Sequence, residues 1–189
     1  MDVIQALEQA LNKNCILSSE EACRPYECDG LSAYRQKPLA VALPENAEQV
    51  KQVLKICKAH NTPVITRGSG TGLAGGTLPL KNSVVLGLSK LNKILHIDPL
   101  QRTAIVEPGV RNIQVSDAAA KYGLYYAPDP SSQVACSIGG NVAENSGGVH
   151  CLKYGLTVHN VTSLTVLDID GEIIRFDEKD DYMDFIALL

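Results

Sequence analysis

The run Arg67-Gly68-Ser69-Gly70-Thr71-Gly72-Leu73-Ala74-Gly75-Gly76 holds the residue types best suited to binding chemistry in this chain. It sets five glycines in ten residues, directly after the apolar Pro63-Val64-Ile65-Thr66. Glycine at this density lets a backbone turn through positive φ and approach a ligand with no Cβ in the way. Successive bare N–H groups in such a turn form a concavity for an anion, and Arg67 is expected to hold a guanidinium at its mouth. The group that fits there is a phosphate or pyrophosphate.

The nucleotide that carries it is narrowed by context. Gly70-x-Gly72-x-x-Gly75 matches the dinucleotide fingerprint, but that fingerprint needs a helix opening on the glycines. Here they run into Gly76-Thr77-Leu78-Pro79-Leu80, which cannot continue as helix past Pro79. No Gly-Lys-Ser/Thr follows, so a P-loop is excluded as well. The loop is expected to join strand to strand. A second cluster, Ser137-Ile138-Gly139-Gly140-Asn141-Val142-Ala143-Glu144-Asn145-Ser146-Gly147-Gly148, follows the stiff approach Pro128-Asp129-Pro130-Ser131-Ser132. Two such clusters suit one extended ligand, and a flavin dinucleotide is of that kind. Its pyrophosphate needs N–H donors and its ring edge needs hydrogen bonds. The alternative is that the glycines merely serve tight turns. His150 and His159 lie near the second cluster; each either tunes a flavin or is a neutral imidazole satisfied by backbone.

The elements that must position these loops can be read from periodicity. Residues 2–13 predict an amphipathic helix with Val3, Ile4, Leu7, Ala10 and Leu11 on one face, and residues 18–37 an irregular lead-in. Residues 39–43 predict a buried strand, followed by a helix capped at Asn46 and running to about His60. Strands follow at 64–66 and 83–88, then a hairpin of 94–98 and 103–107 across Pro99-Leu100-Gln101-Arg102. A helix from Asn112 to Tyr122 should stop at Gly123. Residues 124–150 read as irregular. Residues 161–169 and 172–176 flank Asp170-Gly171, the dipeptide of tight two-residue hairpin turns. Hairpins beside one β-α-β unit give an α+β class and not a doubly wound parallel sheet.

Composition sets the outer limits. The 189 residues are 45% hydrophobic and 20% charged, ordinary values for a globular chain of one domain or two small lobes. A net charge of -4 leaves no basic stripe for nucleic acid. No apolar run nears the ~20 residues of a membrane span, and no export signal is visible. The six cysteines form no Cys-x-x-Cys, so no metal site is expected and reduced thiols in a cytosol are the default.

Residues 25–35, 67–76, 128–132, 137–148 and 154–161, in this order, resemble the FAD-linked oxidases of the vanillyl-alcohol-oxidase superfamily, which carry a PCMH-type FAD-binding domain. Within it the chain is most similar to the family of glycolate oxidase FAD-binding subunits, close to D-lactate and D-2-hydroxyglutarate dehydrogenases. The resemblance runs over nearly the whole chain. It implies a lead-in of residues 1–36, then two α+β subdomains, about 37–97 and about 98–189, with a cofactor cleft between them. It implies that Arg67, Gly68, Ser69, Gly70, Thr71, Gly72, Leu73, Gly75 and Gly76 wrap the FAD pyrophosphate. Pro128, Ser132, Ser137, Gly139, Gly140, Asn141, Gly147, Gly148, Gly155, His159 and Val161 would line the rest. Thr71 stands where some relatives carry a histidine joined to the flavin, so FAD is expected to be non-covalent.

The implied reaction is oxidation of a 2-hydroxy acid, glycolate to glyoxylate, with hydride passing to flavin N5. The alternatives are D-lactate or D-2-hydroxyglutarate as substrate, or a non-catalytic nucleotide-binding module. The apolar end at residues 184–189 reads as a cut. The substrate-holding cap domain, with the catalytic residues, is expected beyond it, so this portion alone would be inactive. The resemblance further implies partner subunits, one an iron–sulfur protein, and a cytoplasmic location, peripheral at the inner membrane where such partners anchor it.

Overall fold

Residues 2–177 are described by the computed structural model, and they divide into two units. The first runs to Leu91 and takes in Leu167–Ile173; the second holds Asn92–Val166 and the described chain from Ile174 on. The expected apolar end at 184–189 lies outside the described residues.

In the first unit, helix α1 (Val3–Ala10) is capped by Asp2, whose carboxylate accepts the Gln5 N–H at 2.9 Å. It is shorter than the predicted 2–13, because the chain turns through Lys13–Cys15 into strand β1 (Ile16–Leu17). Helix α2 (Glu20–Cys23), capped by the Ser19 hydroxyl, falls where the sequence predicts irregular chain. Strand β2 (Ala40–Ala42), helix α3 (Ala47–Ala59), strand β3 (Val64–Arg67) and strand β4 (Val84–Gly87) then follow close to their predicted places. The sheet order is β1-β2-β4-β3. Both β2 and β3 run parallel to β4, with Val41 and Ile65 both in register with Val85, while β1 is antiparallel to β2.

The apolar runs of β2 and β4 are explained by burial on both faces. One face packs against α1 and α3 through Leu7, Val53, Leu54 and Cys57; the other meets Cys23, Leu17 and Tyr26. Each fully buried valine or leucine contributes about 1.5–3 kcal/mol. That core fixes the end of β3, from which the glycine loop leaves.

In the second unit, β5 (Ile94–Asp98) and β6 (Thr103–Val106) form the expected antiparallel hairpin. Asp98 sets its turn by accepting the Leu100 and Gln101 N–H groups at 2.9 and 3.0 Å. Helix α4 (Asn112–Ala119) tightens into a 3-10 turn at Ala120–Tyr122 and stops at Gly123, φ 68°, as predicted. Helix α5 (Ile138–Ala143) replaces predicted irregular chain, and α6 (Cys151–Tyr154) and the 3-10 turn Thr157–Asn160 follow where the sequence assigns no element. Strands β7 (Ser163–Leu167) and β8 (Ile173–Asp177) make the last hairpin, whose turn, Leu167–Ile173, is counted in the first unit.

Its turn corrects the expectation of a two-residue connection. The Gly171 N–H donates to Asp168 O at 3.0 Å and the Asp168 N–H to Glu172 O at 3.1 Å, a three-residue loop. Only Gly171 has positive φ, at 76°, whereas a two-residue type I′ turn needs it at Asp170 too. Mixed helices, hairpins and one β-α-β unit are the α+β class read from the sequence. No described helix is long and apolar enough to cross a membrane.

Candidate cofactor site

Strand β3 ends at Arg67, paired with Gly87 of β4, and the chain passes straight into residues 68–76. No helix opens on these glycines; the next regular element is β4. Every residue from 68 to 76 is exposed or half-buried. Among the described residues, no backbone N–H from Gly68 to Thr77 donates to a protein acceptor. Backbone donors without protein partners leave this loop free to bond a ligand, as an anion-binding loop requires.

Arg67 is placed differently from the expectation. It is only 7% exposed, and its Nη1 donates to the Cys28 carbonyl at 2.8 Å and the Thr77 hydroxyl at 3.3 Å. Its guanidinium carbon lies 5.6 Å from the centre of the Tyr26 ring. Burial pulls its pKa below the ordinary arginine value, opposed by Cys28, Tyr26 and Asp29 nearby. The reason is strand alternation: Arg67 shares a face of β3 with Ile65, the face that meets Tyr26. The charge therefore sits beneath the loop, not at its mouth. Gly70, at φ 69°, has no room for a Cβ because the Arg67 guanidinium fills that space.

In the second unit, Asn112 anchors the approach to the second cluster. Its Nδ2 donates to Pro128 O at 2.9 Å and its N–H to Cys136 O at 3.0 Å. Pro128 is buried, and Ser132 is half-buried with its carbonyl accepting from Ala135 and Cys136. Residues 137–143 are not the expected loop, since Ile138 begins α5. Gly139 donates its N–H to Pro108 O at 2.8 Å, and a Cβ on it would stand 2.7 Å from the Pro108 Cβ. Gly140 lies against the Ser137 hydroxyl. Ser137 and Asn141 are 3% and 1% exposed, yet Ser137 Oγ and Asn141 Nδ2 have no hydrogen-bond partner among the described residues.

After α5, the Gly147 and Gly148 N–H groups likewise find no acceptor among the described residues. Gly148 packs directly on Asp129. The Asp129 carboxylate faces His150 Nδ1 at 2.8 Å and accepts the His150 N–H at 3.2 Å. The His150 ring neighbours Tyr125 and Tyr154, with centroids at 5.9 and 6.3 Å. Gly155, at φ 77°, lies against the His159 ring, whose Nδ1 accepts the Leu156 N–H at 3.1 Å. His159 Nδ1 is thus satisfied by backbone. Val161 is half-buried just past the Thr157–Asn160 turn.

The predicted residues fall into two sets, 67–76 in the first unit and 128–161 in the second. Sequence reasoning passed over Asp129, Asn145 and Thr157, which fix the second set. Asn145 Oδ1 accepts the Val158 N–H at 3.0 Å, and the Thr157 hydroxyl donates to Ser146 O at 2.7 Å. Only Asp129, inside Pro-Asp-Pro, carried a signal.

Each unit by itself presents donors without protein partners among the described residues: the 68–77 N–H groups in the first, and Ser137, Asn141, Gly147 and Gly148 in the second. Each buried polar atom left unpaired costs about 1–3 kcal/mol, a cost that a ligand's polar atoms remove. No group of three or more histidine, cysteine or carboxylate side chains capable of holding a metal occurs among the described residues.

The FAD binding domain family matches residues 38–177. Glycolate oxidase subunit GlcD of Escherichia coli is 56% identical over 172 residues, covering 91% of this chain and 34% of that protein. GlcD of Bacillus subtilis is 44% identical over 150 residues, covering 79% of this chain and 32% of that protein. The chain spans about a third of the length of these curated relatives. Among solved structures, alkyldihydroxyacetonephosphate synthase superposes with a TM-score of 0.86 at 20% identity, over 97% of this chain and 36% of that one. That likeness shows the fold. A family match over most of the chain, on a backbone with this donor set, means that the chain belongs to the FAD binding domain family.

Proposed function

We propose that this chain is the FAD-holding portion of a flavin-dependent 2-hydroxy-acid oxidoreductase, with glycolate as the substrate. The observation that carries the proposal is the row of N–H groups from Gly68 to Thr77 with no protein acceptor among the described residues. Those of Gly68, Ser69, Gly70, Thr71, Gly72, Leu73, Gly75 and Gly76 would hold the diphosphate. Ser137 Oγ, Asn141 Nδ2 and the Gly147 and Gly148 N–H groups would serve the remaining polar edges. Pro128, Ser132, Gly139, Gly140, Gly155, His159 and Val161 would shape the surrounding wall. Thr71 stands where some members of the resembled family carry the histidine that joins the flavin, so the cofactor in this proposal is held non-covalently.

Bound FAD supplies the two-electron acceptor needed to oxidise the hydroxyl-bearing carbon of the substrate. The chain's own residues bind and orient; the groups that handle the substrate belong to a cap domain outside residues 37–189, after a lead-in of residues 1–36. The similarity to a glycolate oxidase subunit supports assembly with other subunits; that one of them is an iron–sulfur protein is part of the proposal. The proposal places its action in the cytoplasm, peripheral to the inner membrane where such subunits bind it.

The test has two arms. The purified chain titrated with FAD should quench flavin fluorescence and release unmodified FAD on denaturation. Protein expressed from its complete reading frame, mixed anaerobically with hydroxy acids, should bleach fastest with glycolate. Faster bleaching with D-lactate or D-2-hydroxyglutarate reassigns the substrate, and a colourless protein indifferent to FAD overturns the proposal.

A further inference from the structure

Residues 24–36 lie outside the stretch that matches the family, 38–177, yet they touch the glycine loop at several points. The Gly30 N–H donates to Gly72 O at 3.0 Å. A Cβ on Gly30 would stand 2.8 and 2.9 Å from the Thr71 and Gly72 carbonyl oxygens, so only glycine lets the two backbones meet this closely. Asp29, 7% exposed, shapes this approach by accepting the Leu31 N–H at 2.8 Å. Arg67 closes the arrangement from below, tying the loop's first residue to the Cys28 carbonyl and to Thr77 at its far end.

These contacts act on the carbonyl side of the loop. With Gly72 O engaged by Gly30, and the loop's two ends tied to one guanidinium, the N–H groups keep a fixed direction without bonds of their own. We propose that the segment Tyr26–Leu31 is the platform that holds the diphosphate cradle in its receiving shape, with Gly30 and Arg67 as its positioning residues. The inference rests on the FAD reading above and adds to it residues that act by positioning the loop. Its physical content is preorganisation: a loop already ordered loses less freedom when the diphosphate arrives. Arg67 also places a buried positive charge against Gly70 of the loop.

The experiment uses the 189-residue chain with FAD itself as probe, read by fluorescence quenching, beside thermal melts of the FAD-free chain. Gly30→Ala and Arg67→Met are each expected to weaken FAD affinity about tenfold or more. Arg67→Lys, which keeps the charge and one donor, should recover part of the loss. Val53→Ala, in the core away from the loop, should lower the melting temperature without changing affinity. Affinity losses that merely follow the loss of melting temperature, Val53→Ala included, would overturn the platform, as would wild-type affinity in both Gly30→Ala and Arg67→Met.

Amide exchange of Gly30 in the FAD-free chain provides a readout independent of binding. It should be slow in wild type and at least about tenfold faster in Arg67→Met, since the bond to Gly72 O depends on the clamp. If Gly30→Ala does not fold, Arg67→Lys and the exchange measurement carry the decision. A wild-type chain that never binds FAD but shows the exchange difference sinks the functional reading and leaves the clamp standing. Equal exchange in wild type and Arg67→Met sinks the clamp.

Discussion

Ser137 occupies the N-cap of α5 without making a capping bond, and its hydroxyl is buried with no partner among the described residues. A serine cap normally contributes about 1 kcal/mol, lost on change to alanine. Here that contribution is missing and the hydroxyl is buried without a partner, so Ser137→Ala should leave the unfolding free energy of the FAD-free chain unchanged or raise it by about 1–3 kcal/mol. The same substitution should weaken FAD binding several-fold, because the hydroxyl's partner is then a ligand atom. Urea titration and fluorescence quenching measure the two effects separately; a full cap penalty, or unchanged affinity, contradicts the assignment. Cys57 makes a pH argument of a different kind. Burial pushes its thiol from the ordinary 9.0 up to about 11. The unfolded thiol therefore ionises first, and above pH 9 the unfolded state binds fewer protons than the folded one. Stability contributed by the neutral buried thiol is complete below pH 9 and lost as pH rises toward 11, with a slope of at most about 1.4 kcal/mol per pH unit. Denaturant midpoints at pH 8 and 10.5 should converge in Cys57→Ala. Some slope will persist there, because burial also pushes Tyr126 to about 12.

Helix α3 carries the β-α-β connection that sets the direction of β3, and its start depends on one side chain. Asn46 Oδ1 accepts the Gln49 N–H at 3.0 Å. Asn46→Ala should cost about 1 kcal/mol of unfolding free energy in urea, within the usual 0.5–2 kcal/mol of a lost cap. A cost near zero would mean that packing of Val50, Val53 and Leu54 alone sets the helix start. This helix was legible in the sequence because its signals are local: a cap, a 3.6-residue apolar period, and flanking apolar strands. The first glycine loop was legible too, since no helix can run through Pro79. What was not legible depends on partners distant in sequence. Helix α5 contains two adjacent glycines, and long-range bonds from Ile138 to Val110 O and from Gly139 to Pro108 O hold its first turn. Strand alternation puts Arg67 on the Ile65 face, but that this face is covered by Tyr26 and Cys28, about forty residues earlier, is not written locally. In the last hairpin the misleading signal was Asp170-Gly171. The effective one was Asp168, whose carboxylate accepts the Asp170 and Glu172 N–H groups at 2.9 and 2.8 Å and imposes the longer loop.

For the whole chain, FAD must bind against a net charge of -4. Its diphosphate is negative as well, so no long-range attraction draws the cofactor in, and the donors of the loops must act at contact distance. Contact hydrogen bonds in a partly buried loop are screened far less by salt than long-range steering. FAD affinity should therefore stay level, or improve slightly, as salt rises from about 0.05 to about 0.5 M; a steep fall would instead mark adventitious capture by surface lysines. Binding to the folded chain alone must also raise its stability, by about 2.7 kcal/mol when FAD exceeds its dissociation constant a hundredfold. For a chain of this size that corresponds to a rise in melting temperature of about 5–10 °C, increasing with FAD concentration. Amide exchange then reads the two donor sets individually. Slowing at both 68–77 and 147–148 is expected, since neither set has protein acceptors among the described residues. Slowing confined to 68–77 would restrict the cofactor to the first unit and remove Ser137 and Asn141 from its contacts.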